Sequence, residues 1–206
     1  RGATYAMPQH GIVRKKDWDV RETSPRRAVF GTAADAETRE AYPFDFDLQA
    51  IFSLAASGLD IRYEVRNTGS GTMYFSIGSH PAISLPFAGG TMENYYVHFS
   101  EEENIERYFF EGGMHLNETA PAFDNCRQIY LTRDLFDRGP LIFKSPRSTD
   151  VTIVCSLSEK AVRIATPGVP YLALWSKPRA PFVCVEPWHG VPDNIDTDRH
   201  FETKEG

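Results

Sequence analysis

The sequence predicts an all-β fold, built as two large, twisted and mostly antiparallel sheets that pack on each other. Three observations carry this prediction. Apolar and polar residues alternate with the period of two that half-buried strands show, turn residues recur between the alternating segments, and no long amphipathic helix is indicated.

The alternation is clearest in three segments. Residues 44–48 and 59–65 each place an apolar side chain at every second position, which predicts two half-buried antiparallel strands, and residues 151–157 repeat the pattern. Residues 67–71 are rich in Asn and Gly, which tolerate positive φ and therefore predict a turn. An apolar strand is expected to follow over residues 73–77 and to stop at Gly78.

The remaining segments give weaker patterns. Residues 4–11 predict a short strand that enters a turn, with His10 just before a glycine, and residues 21–41 predict a connecting loop with one helical turn. Residues 86–140 carry many aromatic side chains without clear periodicity, so we expect strands joined by long loops. Short strands are expected at 141–143, 161–165 and 171–175.

Composition narrows the function classes. The 206 residues, 41% of them hydrophobic, predict one domain over residues 1–206. The net charge of -6 and the scattered basic residues argue against nucleic acid, and no apolar segment is long enough to span a membrane. Cys126, Cys155 and Cys184 are widely spaced, which favours free thiols in a reducing, cytoplasmic location.

The stretch from residue 180 to 193 holds the first chemical candidate. Phe182, Cys184 and Glu186 share one face of an extended segment that Pro187 is expected to end. A glutamate that closes an apolar segment is shielded from water, and shielding raises a carboxyl pKa toward the range useful for proton transfer. Glu186 is therefore our candidate general base.

Two histidines complete a candidate set. His10 and His80 lie at junctions between strands and turns, and imidazole with carboxylate can exchange a proton near neutral pH. Trp175, near Glu186 in sequence, is assigned to substrate binding, although spacing alone leaves a structural role open for each of these residues. We expect no metal, because His10, His80, His189 and Glu186 lack the short spacing that fixes metal ligands.

Other catalytic motifs are missing from the sequence. It contains no phosphate-binding loop, no G-x-G-x-x-G motif after a strand, no G-x-S-x-G elbow and no H-E-x-x-H helix motif. This argues against nucleotide and serine-hydrolase chemistry.

Three motifs follow one another along nearly the whole chain. They are Met7-Pro8-Gln9-His10-Gly11, then Met73-Tyr74-Phe75-Ser76-Ile77-Gly78-Ser79-His80-Pro81-Ala82, and then Leu174-Trp175-Ser176-Lys177-Pro178 continuing into Ala180-Pro181-Phe182-Val183-Cys184-Val185-Glu186-Pro187-Trp188. In their order and spacing, these motifs resemble the aldose 1-epimerase (mutarotase) family.

The resemblance implies a galactose-mutarotase-like β-sandwich with an open sugar cleft, and an isomerase that interconverts α and β anomers of a hexopyranose without a cofactor. On the family pattern, His80 is the acid that protonates the ring oxygen. Glu186 is the base that accepts the proton of the anomeric hydroxyl, and His10 contacts the sugar.

The chain departs from the family pattern in two places. Family members carry further strands, with a substrate-contacting arginine, before the turn of His10, so we expect a domain that lacks its N-terminal strands. An uncovered sheet edge pairs readily with another chain, which predicts a homodimer or a bound N-terminal fragment. Gly139-Pro140 also replaces the family's Asp-Ala, and Asp137 does not align with the family's aspartate.

Three alternatives stay open. A mutarotase for phosphorylated hexoses would need basic side chains at the cleft, for which the candidates are Arg14, Lys15, Lys177 and Arg179. A carbohydrate-binding or sensing domain would keep the fold without catalysis. A glycosidase would need a second carboxylate, for which Asp193 is the candidate.

Overall fold

The computed structural model describes residues 3–206 and confirms the all-β class. Over these residues it contains thirteen strands, one short α-helix and one turn of 3-10 helix at Met92–Asn94. The chain divides into two compact units, one that ends at Tyr74 and one over Phe75–Gly206. In the described part of the chain no helix is both long and apolar enough to cross a lipid bilayer.

The first unit holds a four-stranded antiparallel sheet in the order β1-β2-β3-β4. Its elements are β1 (Asp19–Ser24), β2 (Arg27–Ala33), α1 (Ala36–Ala41), β3 (Phe46–Leu54) and β4 (Leu59–Asn67).

The loop predicted over residues 21–41 was wrong in its first half. This region forms β1, β2 and the tight turn between them, and β2 pairs with β3 along its whole length. The side chains of β1 are all exposed, so the strand carries no apolar alternation that a sequence pattern could show. The helical turn was correct: α1 begins at an N-cap, Asp35, whose carboxylate accepts the Thr38 backbone N–H at 2.8 Å.

The second unit holds a nine-stranded sheet in the order β11-β10-β7-β9-β12-β13-β5, with β8 on β7 and β6 on β13. Every pair of strands is antiparallel. The strands are β5 (Ile77–Gly78), β6 (Ala82–Ser84), β7 (Tyr95–Glu111), β8 (Met114–Tyr130), β9 (Leu141–Lys144), β10 (Asp150–Cys155), β11 (Ala161–Ala165), β12 (Tyr171–Trp175) and β13 (Phe182–His189).

The long hairpin of β7 and β8 also differs from the prediction. Each strand has 17 residues, where strands joined by long loops were expected. The pairing of the two strands shifts register at several points, the first between His98 and Glu103. Each shift moves the following side chains relative to the two faces, so these strands show no sustained alternation in the sequence.

The core of the second unit lies on one face of its sheet. Val183 and Val185 of β13 and Leu172 and Leu174 of β12 are fully buried there. Because side chains alternate along a strand, the residues between them point to the opposite face. Glu186 is therefore carried by β13 on the face away from the main core.

Candidate functional site

Glu186 is a buried carboxylate on β13, which lies between β12 and the short strands β5 and β6. It pairs with Ala173 of β12, and only 3% of the residue is exposed. Pro187 does not end β13 as predicted, because the strand continues to His189. Proline lacks an N–H but keeps its carbonyl, and that carbonyl accepts the Ser79 backbone N–H at 3.0 Å.

His80 is placed beside Glu186 by the two short strands that flank it in sequence. Both β5 and β6 pair with β13, so the connection between them lies along this strand. On one side of His80, Ser79 donates to Pro187, and on the other, Pro81 accepts the Val185 N–H at 3.2 Å. His80 Nε2 lies 3.4 Å from Glu186 Oε1.

The two side chains differ in their access to water. The His80 side chain is 44% exposed, whereas that of Glu186 is 4% exposed. Burial raises the pKa of Glu186 to about 8, and a hydrogen bond from the Trp188 side chain lowers it in part. A carboxyl group that keeps its proton near neutral pH, next to an imidazole, is suited to exchange a proton with a bound molecule.

The raised pKa predicts a pH-dependent stability difference between the protein and Glu186→Gln. The folded protein holds the Glu186 proton up to about pH 8, whereas the unfolded chain releases it near 4.5, so this contribution to stability is complete below pH 4.5 and is lost as the pH rises to about 8. Glutamine has no charge to bury. The melting temperature of Glu186→Gln relative to the unchanged protein should rise by about a few degrees between pH 4.5 and 8.5 in calorimetry. An equal difference at every pH would contradict the pKa assignment.

Aromatic side chains surround the pair. Trp175 lies edge-on to the His80 ring, with 5.8 Å between centroids, and 6.0 Å from the Phe182 ring. The structure thus brings together three of the predicted site residues, His80, Glu186 and Trp175. The partly exposed indole presents an apolar surface beside an imidazole and a buried carboxyl group.

Trp188 reaches Glu186 because its neighbour across the strand is a glycine. Gly78 pairs with Trp188, and a Cβ built at Gly78 would lie 2.5 Å from Trp188 Cδ1. No side chain fits there unless the indole moves. The glycine therefore keeps the Trp188 hydrogen bond to Glu186 in place.

We expect Gly78→Ala to displace the Trp188 indole. The rate of a reaction that uses Glu186 should then fall by about tenfold, because the carboxylate loses the group that orients it. The effect should be visible as a change in tryptophan fluorescence together with the loss of rate. Gly58→Ala is the matched control, since a Cβ at Gly58 meets no atom within 4 Å. Unchanged fluorescence and rate in Gly78→Ala would contradict this role.

The thiol of Cys184 lies close to His80 and Glu186, although Cys184 was not among the metal ligands considered from the sequence. Its thiol is buried, and burial raises its pKa to about 12, with a further contribution from the Glu186 charge. One ligand atom from each of His80, Cys184 and Glu186 lies within 4.8 Å of the others, so the three together could hold a metal ion. The signal was present in the sequence, because residues i and i+2 of a strand share a face.

The face that carries Glu186 continues into a polar group that sequence reasoning missed. Lys144 Nζ lies 2.8 Å from Glu205 Oε1 and 4.9 Å from the centroid of the Tyr108 ring. Tyr171, which pairs with both Lys144 and Trp188, donates to Glu205 at 3.3 Å. Strand pairing brings Lys144 and Tyr171 together, Glu205 reaches them from the segment after β13, and no local pattern in the sequence indicates this arrangement.

The structure also shows the local surroundings of His10 and of Gly139. His10 belongs to the first unit, where it occupies a turn with φ of 67° closed by the Gly11 N–H to the Pro8 carbonyl, without the predicted strand before it. Burial, and to a lesser extent the charge of Arg14, lower its pKa. The contact of His10 with sugar stays a prediction.

Gly139 has a φ of 101°, which residues other than glycine rarely adopt. Its carbonyl accepts a hydrogen bond from Arg107 Nη1 at 2.9 Å.

Comparisons with known proteins identify the family of the chain. The model of the family described as aldose 1-epimerase matches residues 1–199. The plasmid and chromosomal LacX proteins of Lactococcus lactis subsp. lactis are each 29% identical over 207 residues, which covers 98% of this chain and 69% of theirs.

Two solved structures are similar over almost the whole chain. A galactose mutarotase related enzyme from Lactobacillus acidophilus has a TM-score of 0.90 at 29% identity, covering 99% of this chain and 69% of that one. A galactose mutarotase-like protein from Lactobacillus casei ATCC 334 has a TM-score of 0.87 at 29% identity, covering 98% and 71%. The predicted galactose-mutarotase-like fold is confirmed.

Proposed function

Since the chain belongs to the aldose 1-epimerase family, we propose that it is an isomerase that interconverts the α and β anomers of a hexopyranose, with His80 and Glu186 as its proton-transfer pair. The observation that carries the proposal is the 3.4 Å distance between His80 Nε2 and Glu186 Oε1. Both residues are held by backbone pairing to one strand, so the distance is a property of the sheet.

The distance suits the chemistry of a hemiacetal. The ring oxygen and the anomeric hydroxyl are bonded to the same carbon, so an acid and a base that serve them must stand close together. The pair carries one proton, which rests on Glu186 near neutral pH and lies on His80 in the reacting state. His80 then donates this proton to the ring oxygen while the Glu186 carboxylate accepts the proton of the anomeric hydroxyl. The bond between the anomeric carbon and the ring oxygen breaks, and an open-chain aldehyde forms.

Ring closure reverses these transfers. The aldehyde rotates about the bond between its first two carbons, and the hydroxyl attacks the other face of the carbonyl. Glu186 then returns its proton to the carbonyl oxygen, and His80 removes the proton of the attacking hydroxyl. The pair ends with the one proton it began with, so the cycle needs no cofactor.

Substrate binding is assigned to two residues. Trp175 supports the sugar ring from its position against His80, and His10 contacts sugar hydroxyls as the family resemblance implies. The small-molecule partner is thus a sugar.

A phosphorylated hexose is the second candidate substrate. Lys177 and Arg179 lie in the connection between β12 and β13, the two strands that carry Trp175 and Glu186. Their positive charges would suit a phosphate group on a sugar bound at that end of the sheet.

The proposal is tested by polarimetry with freshly dissolved α-D-galactose, α-D-glucose and α-D-glucose 6-phosphate. Faster equilibration with at least one of them supports mutarotase activity, and the fastest identifies the substrate class. Saturable sugar binding in calorimetry, without faster equilibration of any of the three, would replace the proposal with a carbohydrate-binding domain.

A further inference from the structure

Three chemically different ligand atoms converge at the proton-transfer pair. The imidazole of His80, the thiol of Cys184 and the carboxylate of Glu186 each offer one atom, and these atoms lie within 4.8 Å of one another. We propose that they form an inhibitory binding site for a thiophilic divalent cation, Zn²⁺ or Cd²⁺, which blocks the site when it binds. The inhibitory effect rests on the proposed function, whereas the binding itself does not.

The geometry is close to that of a metal site before any movement. With bonds of about 2.0–2.3 Å, neighbouring ligand atoms around a tetrahedral Zn²⁺ lie about 3.3–3.8 Å apart. The 3.4 Å between His80 Nε2 and Glu186 Oε1 falls in this range. The Cys184 sulfur therefore needs to move by only about 1 Å to complete three ligands.

The backbone fixes the positions of the ligands. Cys184 and Glu186 are two residues apart on β13 and point to the same face, while β12 pairs with both of them and β6 pairs with Cys184. His80 is held by the two hydrogen bonds on either side of it, from Ser79 and to Pro81. The Trp188 side chain donates to Glu186 and orients the carboxylate, as partners of metal ligands commonly do.

Charge selects the kind of cation. A thiolate and a carboxylate carry two negative charges in a place from which water is largely excluded, and a divalent cation neutralises both. Sulfur and imidazole nitrogen are preferred by Zn²⁺ and Cd²⁺, whereas Mg²⁺ and Ca²⁺ prefer oxygen alone. Binding releases the thiol proton of Cys184 and the carboxyl proton of Glu186 to solvent, and the ion reaches the ligands past the half-exposed His80 side chain.

A bound cation would stop the proposed reaction. The metal bond occupies the lone pairs of His80 Nε2 and Glu186 that proton transfer requires. The cation therefore competes with the proton that the pair exchanges with the sugar, and activity is expected to return when a chelator removes it.

Binding is measured first, with Cd²⁺ alone and without sugar. Titration of the protein should produce one equivalent of the ultraviolet charge-transfer band of a cadmium–thiolate bond. Cys184→Ser should lose the band, whereas Cys126→Ser, which removes another free thiol, should keep it. His80→Gln, a change at a half-exposed side chain, should weaken Cd²⁺ binding by about tenfold or more and serves if Cys184→Ser does not fold.

Inhibition is measured separately, as the ratio of equilibration rates with and without Zn²⁺ in each variant. A ratio well below one in the unchanged protein and in Cys126→Ser, restored toward one in Cys184→Ser, supports the proposal. An absent cadmium band, a band that persists in Cys184→Ser, or an active enzyme that Zn²⁺ leaves unaffected would overturn it. Cadmium binding by a protein that accelerates no sugar would support the metal site and count against the proposed function alone.

Discussion

Glu186→Gln is expected to lower kcat/KM for anomer interconversion by about a hundredfold or more, the contribution typical of a proton-transfer group. Glutamine has nearly the same shape, and its amide oxygen can still accept the hydrogen bond from the Trp188 side chain. It cannot accept the proton of the anomeric hydroxyl. Rates from polarimetry should therefore fall, while sugar affinity measured by calorimetry stays within about a few fold.

The matched control is Glu103→Gln. Glu103 is as buried as Glu186 and lies in the same sheet, but its carboxylate accepts the Ser148 backbone N–H at 2.6 Å. A glutamine there can accept the same hydrogen bond, so the rate should change little. A similar loss of rate in both variants would mean that a buried glutamate matters for the fold and not for proton transfer.

His80→Gln should cause a loss of similar size, and the double variant with Glu186→Gln should be hardly slower than either single variant. The two groups work as a unit, because a proton delivered to the ring oxygen requires that another leaves the hydroxyl, and residues that act as a unit are strongly non-additive. The measurement is kcat/KM for the three variants under one set of conditions.

Losses that multiply in the double variant would contradict this account. Each residue would then accelerate the reaction independently of the other, and the 3.4 Å contact would have no catalytic meaning. Because the His80 side chain is half exposed, its replacement should leave the melting temperature nearly unchanged, which separates a catalytic loss from a folding defect.

The sequence predicted the burial of Glu186. The residue follows an apolar segment, and burial at that position follows from the pattern around it, although the strand continues beyond it to His189. His80 and Trp175 came from chemistry and from the family resemblance together, and the strand pairing explains why they meet: β5, β6 and β12 all pair with β13.

Other features depended on pairing that a local pattern does not contain. The fully exposed β1 and the bulged hairpin of β7 and β8 lack alternation, so their strands were missed or shortened. Trp188 was not among the predicted site residues, because its hydrogen bond to Glu186 depends on Gly78, which faces it on the neighbouring strand. Lys144 and Glu205 are brought together from 61 positions apart.

Several expectations stay predictions. The single domain over residues 1–206, the homodimer and the cytoplasmic location rest on sequence arguments, as does the role of His10. A sugar-binding role for His10 would be tested separately, by sugar affinity in His10→Ala.

The most direct test of the central claim compares the protein with the double variant of His80→Gln and Glu186→Gln in the equilibration of fresh α-D-galactose and α-D-glucose. The account predicts that the protein accelerates the approach of at least one sugar to its anomeric equilibrium. The double variant should keep no more than about a hundredth of that acceleration over the spontaneous rate. Acceleration that survives in the double variant would show that the reaction does not pass through His80 and Glu186.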